Sequence, residues 1–170
     1  MTVDLLKQYL ALSWFRNNPA ELDAPVSFLW KCLIFYLVSG IIVEANISDP
    51  ADATLEVGMR AIVAFSLLTT LLFLTKKSDM YKQLLIAVFV CENVIVTLGI
   101  LVEILDHFLR KTPYEELPLY LGAILIVWYL AIISYILRHM FNSKMFSSIG
   151  LSVFYFAMTY GGPFLFMEVI

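Results

Sequence analysis

Charge is scarce in this chain. Only 15% of its 170 residues are Asp, Glu, Lys or Arg, while 61% are hydrophobic. Soluble domains carry about 25% charged and about 45–50% apolar residues, so water is excluded as the solvent for most of this sequence. A mean hydropathy of +0.87 agrees. The basic residues are scattered rather than gathered into the clusters of about 4–8 that hold an anionic membrane surface or a phosphate backbone, which excludes nucleic acid as a partner. Cysteine is nearly absent: Cys32 and Cys91 fall in separate apolar segments without a CxxC pair or metal-ligand spacing, and read as small buried apolar residues. No HExxH, GxSxG or Walker loop occurs, nor a haem-type histidine pair, and no polar segment is long enough to hold a conventional active site. The expectation is a non-catalytic protein without cofactor or metal.

What is present is a series of long apolar runs. A helix needs roughly 20 apolar residues to cross about 30 Å of hydrocarbon, and five segments qualify, over approximately 27–45, 55–75, 83–105, 118–140 and 146–168. Short connections with breakers or charges separate them: Asp49-Pro50, Lys76-Lys77-Ser78-Asp79, Thr112-Pro113, Leu117-Pro118 and Asn142-Ser143-Lys144. The fold class is therefore all-α, a polytopic bundle over residues 26–170, in which short links make successive helices antiparallel neighbours. Residues 1–25 form a lead-in whose helix, Val3 to Phe15, carries Leu5, Leu6, Tyr9 and Leu10 on one side and is too short to span. It lies along the interface, with Trp14 and Phe15 at headgroup level, or packs on the ends of the bundle.

Lys and Arg set the orientation, because short cytoplasmic loops retain them. With the N-terminus inside, the cytoplasmic side holds Lys7, Arg16, Lys76, Lys77, Lys82, Arg138 and Lys144, joined by Lys31 if it snorkels, against Arg60, Arg110 and Lys111 outside. This predicts N-in, C-out topology, and the short loops suit a bacterial inner membrane. Val43-Glu44-Ala45 also fits a signal-peptide cleavage site, although the stretch before the first apolar run is longer than a usual n-region.

Glu92 and Asn93 interrupt the third apolar run, where a charge costs about 2.5–3.5 kcal/mol and normally faces protein or water. Glu92, Val96, Gly99 and Glu103 share one stripe and Asn93 and Thr97 the next, so this face is predicted to point inward, with Gly99 admitting a neighbouring helix. Glu92 lies on the order of 13 Å from the cytoplasmic end of its helix. Lys31 is about half as deep and is the basic candidate to pair with it; Ser66, Thr69, Thr70, Tyr129 and Tyr135 are candidate hydrogen-bond donors. Two readings stand: a buried clasp that fixes helix register, or a carboxylate that carries a proton or binds a polar group. His107 and His139 lack second ligands and read as solvated or interfacial. Tyr120, Trp128, Tyr129 and Tyr135 read as packing or belt residues. In the last span, Gly161, Gly162 and Pro163 predict a kink or an unwound turn.

The order of parts, with Trp14-Phe15-Arg16-Asn17-Asn18-Pro19 before five close-set spans and Ile136-Leu137-Arg138-His139 after the fourth, resembles the small bacterial members of the YIP family. The family's Asp-Leu-Tyr-Gly-Pro type of motif is missing here. The resemblance implies a five-span, non-enzymatic membrane protein that works through partners, and carries over no functional residue. The expected partners are the lipid bilayer and other membrane subunits or further copies of the chain. The expected role is that of a scaffold, assembly factor or accessory subunit, with a small transporter or channel subunit using Glu92 as the alternative.

Overall fold

A computed structural model describes residues 2–46 and 48–169; Met1 and Ile170, at the outer limits of the two sequence units, lie outside the described residues. The lead-in comprises α1 (Thr2–Leu10), which continues as a tighter turn over Ala11–Trp14, and a second short turn at Pro19–Glu21. Then come α2 (Val26–Glu44), α3 (Pro50–Leu74), α4 (Tyr81–Leu109), α5 (Leu117–Phe141) and a final span made of α6 (Met145–Phe156), a wide π turn (Ala157–Gly161) and α7 (Gly162–Val169). No strand occurs among the described residues. Five of these helical segments are long and apolar enough to cross a membrane, which makes the chain an integral membrane protein with an all-α bundle.

Local chemistry sets the helix ends. Asp49 caps α3, its carboxylate accepting from the Ala51 N–H at 2.9 Å, and Pro50 fills the first helical position, where no N–H is needed. The helix thus starts five residues before the expected 55, because the Asp-Pro pair read as a breaker is its cap. Asn142 ends α5 in the left-handed conformation, φ 50°, returning its N–H to the Arg138 carbonyl. Phe15 and Asn17 are also left-handed, φ 58° and 65°, and reverse the lead-in after α1. Asn17 holds that reversal by donating from Nδ2 to the Gln8 carbonyl at 3.0 Å.

α4 is the hub, packed chiefly against α2 and α5 and also against α1 and α3; α2 meets α3, α3 meets the last span, and α5 meets α6. With 29 residues α4 is about 43 Å long, against about 28 Å for the 19 residues of α2. The lead-in occupies the corner that the shorter helix leaves. Trp128 Nε1 donates to the Ser13 carbonyl at 3.0 Å, Tyr135 donates its hydroxyl to the Asn17 carbonyl at 2.8 Å, and Ser13 Oγ reaches Cys91 Sγ at 3.5 Å. Tyr9, Leu12 and Ser13 are fully buried there. Burial pushes the Tyr9 phenol above its ordinary range, with Cys32 and Asp23 adding to the effect, so it stays a neutral donor to the Asp23 carbonyl at 3.1 Å. The segment therefore packs on the bundle, although Trp14 and Phe15 keep about half their surface exposed.

Two glycine expectations change. A Cβ on Gly99 would meet nothing within 4 Å, so this glycine does not mediate a close helix approach; Gly40 does, since a Cβ there would lie 3.0 Å from Val57 Cγ1. In the last span the chain stays helical through Gly161 and Gly162, and neither glycine is sterically required. Pro163 is the cause of the irregularity. It cannot donate to the preceding turn and its ring crowds that turn, and the π turn opens the helix just before it.

Candidate functional site: a polar interior around Glu92

Lipid cannot satisfy a hydrogen-bonding side chain, so polar groups in a membrane bundle turn to one another. Glu92, from the middle of α4, has no exposed surface. Tyr129 of α5 donates its hydroxyl to Glu92 Oε1 at 2.6 Å, and Tyr155 of α6 donates to the same oxygen at 3.1 Å. One carboxyl group thereby ties three helices together, while its second oxygen, Oε2, is buried without a partner. Tyr160, in the π turn, sets its ring edge-on to Tyr129 with centroids 6.0 Å apart. Above the Tyr160 ring, 5.1 Å from its centroid, lies the guanidinium of Arg60 from α3.

Arg60 is held in turn by two acids. Its Nη1 meets Glu44 Oε2 at 2.9 Å and its Nη2 meets Glu56 Oε1 at 2.5 Å. All three side chains are less than one-fifth exposed. From α2, Tyr36 is 2% exposed and packs its ring at a tilt against Phe89, with centroids 5.1 Å apart, within electrostatic reach of both Glu92 and Arg60. Every spanning segment thus sends a titratable side chain into one interior: Tyr36, Arg60, Glu92, Tyr129, and the pair Tyr155 and Tyr160. Three buried atoms in this part of the bundle have no partner, namely Glu92 Oε2, Arg60 Nε and Thr159 Oγ1.

No family model, curated protein or solved structure matches this chain. The functional reading therefore rests on the geometry of the interior.

Glu92 and Asn93 are divided between different neighbours. Adjacent residues on a helix point about 100° apart, and while Glu92 faces α5 and α6, Asn93 faces α2, its Nδ2 donating to the Cys32 carbonyl at 3.1 Å. Asn93 Oδ1 is buried and unpartnered. Thr97 donates to the Asn93 carbonyl at 2.7 Å and is itself exposed. Lys31 does not pair with Glu92: it is exposed on α2, beside Asn93 and Thr97, on the wrong side of α4 to reach the carboxylate. Glu103 is half-buried and lines a separate cleft with Asp106, His107 and Arg110 near the far end of α4, so the inward stripe does not continue past the first acid. His107 is exposed and His139 takes its Nδ1 to the Tyr135 carbonyl at 2.9 Å. Among the described residues no group of three or more His, Cys, Asp or Glu is placed to hold a metal ion.

Sequence reasoning named Tyr129 among several donors but missed Tyr36, Tyr155 and Tyr160, and it counted Arg60 as an exterior charge. The overlooked signal is depth: these tyrosines sit well inside their spans, where belt aromatics do not belong. Removing the Tyr129 hydroxyl should cost more than removing that of Tyr155, because its bond to the acid is shorter. Tyr129→Phe is expected to lower stability by about 2 kcal/mol and Tyr155→Phe by about 1 kcal/mol. Reversible unfolding in mixed micelles measures both; equal costs would refute the ranking by bond length, and negligible costs would show that the carboxyl group is not the clasp's acceptor.

Proposed function

We propose that the chain is a non-catalytic integral membrane protein, a scaffold, assembly factor or accessory subunit of a membrane complex. The observation that carries this reading is that the polar interior is spent on the bundle itself. Glu92 is sealed from solvent and clasped by two tyrosines, and Arg60 is clasped by two acids. Such pairing fixes register and helix order, which suits a protein whose task is to present a defined outer surface to partners. The resemblance to small five-span YIP-type proteins and the excess of Lys and Arg at the end that carries the lead-in support an N-in, C-out subunit of a bacterial inner membrane.

A second reading has its own observation. Glu92 Oε2, Thr159 Oγ1 and Arg60 Nε are buried and unpartnered, and a π turn of the kind found at functional sites lies beside them. These features suit a transporter or channel subunit in which Glu92 takes up and releases a proton. Reconstitution into liposomes loaded with a pH-sensitive dye separates the two. A subunit that works through partners gives no protein-dependent proton flux, in the native chain or in Glu92→Gln, and copurifies with a fixed membrane partner in mild detergent. Flux in the native protein that Glu92→Gln abolishes would replace the scaffold by the transporter.

A further inference from the structure

We propose that the groove bounded by α1, α2 and α4 is a binding site for one anionic glycerophospholipid, with the lipid phosphate on Lys31. This inference is independent of the functional reading above. The groove encloses about 470 Å³, within the range of about 300–1,000 Å³ typical of small-ligand sites. Its apolar walls include Leu6 and Leu10 of α1, Phe28 and Phe35 of α2, and Val94 and Leu98 of α4. Lys31 is the one formally charged residue in the lining, and it is exposed and has no ion pair among the described residues.

The placement matches a phospholipid from head to tail. Lys31 is the sixth residue of α2, about 8 Å from that helix's start. Its side chain leans back toward the helix N-terminus, so the ammonium reaches the headgroup layer. Asn93, hydrogen-bonded to the carbonyl of the adjacent Cys32, gives the groove floor a polar patch close to the depth of Lys31, and Thr97 follows one turn on. Phe35 of α2 and Leu98 of α4 continue the apolar lining past this patch. Among the described residues no acidic side chain lines the groove, and this decides the headgroup. The ammonium of a zwitterionic lipid would find only Lys31 to repel it, whereas a phosphodiester with an uncharged head gains the full attraction.

Native mass spectrometry of the purified protein in mild detergent tests this with two defined probes, dioleoyl phosphatidylglycerol and dioleoyl phosphatidylcholine. One phosphatidylglycerol is expected to bind saturably, with phosphatidylcholine at least about fivefold weaker. Lys31→Gln should weaken phosphatidylglycerol binding about fivefold, the loss of roughly one lysine–headgroup attraction, and Lys31→Glu should weaken it further. Filling the slot with Val94→Trp should reduce binding of both lipids. Equal binding of the two probes by the native chain, or unchanged binding in Lys31→Gln, would overturn the proposal. So would unchanged binding in a Val94→Trp protein that keeps the native circular dichroism. A dimer that Val94→Trp disrupts, with no response to phosphatidylglycerol, would assign the groove to a second copy of the chain and sink the lipid site. Should Val94→Trp not fold, the exposed Lys31 variants decide the matter alone.

Discussion

Replacing Arg60 with leucine is expected to destabilise the protein by about 3 kcal/mol, the lower end of the about 3–5 kcal/mol seen when one partner of a buried ion pair is removed. The substitution leaves Glu44 and Glu56, each less than one-fifth exposed, without their shared cation. It also removes the guanidinium from the Tyr160 ring. Arg60→Lys should recover only part of the loss, because an ammonium cannot present a planar fork to two carboxylates at once. The decisive comparison is the triple variant Arg60→Leu, Glu44→Gln, Glu56→Gln. If the cost of Arg60→Leu lies in unpaired acids, neutralising both should restore most of the stability. A triple variant as unstable as the single one would mean that the guanidinium's packing, and not its charge, holds α2, α3 and the last span together.

Phe89→Ala is expected to be at least as severe, at about 3–5 kcal/mol. The Phe89 ring is fully buried on α4, 5.1 Å from Tyr36 of α2 and 5.2 Å from Phe65 of α3. Inside a bilayer there is little hydrophobic transfer energy to lose, so the cost comes from the forfeited contacts and the cavity left between three helices. Phe89→Leu should retain about half of it. As a control, truncation of the half-exposed Ile104 should fall within about 0.5 kcal/mol. Unfolding midpoints in mixed micelles rank the variants, and a Phe89→Ala protein as stable as the Ile104→Ala one would refute the three-helix junction.

The spans were legible because a hydrocarbon solvent demands long uninterrupted apolar runs, and little else in a sequence produces them. The burial of Glu92 was legible for the same reason, since a carboxyl group in lipid must turn toward protein. Its partners were not. A choice between Lys31 and Tyr129 depends on which way one residue points around a helix, and the neighbouring Asn93, only about 100° away, faces a different helix altogether. The partners of Arg60 were not legible, because a tally of charges by loop takes no account of an arginine that reaches along its own helix to Glu56 and across to Glu44. Tyr129 was one candidate donor among five and Tyr155 was not among them, since only tertiary packing brings hydroxyls from α5 and α6 onto one carboxyl oxygen. Gly99 and Gly40 make the same point: a glycine announces room for a neighbour, but the sequence does not say which glycine has one.

The lead-in that fills the corner beside α4 and α5 has a consequence for how the molecule is made. Its anchoring partners, Cys91, Trp128 and Tyr135, come 78, 115 and 118 residues later in the chain. During synthesis the lead-in emerges before these partners, and its hydrogen bonds to Trp128 and Tyr135 cannot form until the fourth span is in place. Contacts this distant in sequence form late. A segment made before the spans it packs on is thus among the last to settle, and its arrival completes the surroundings of α4.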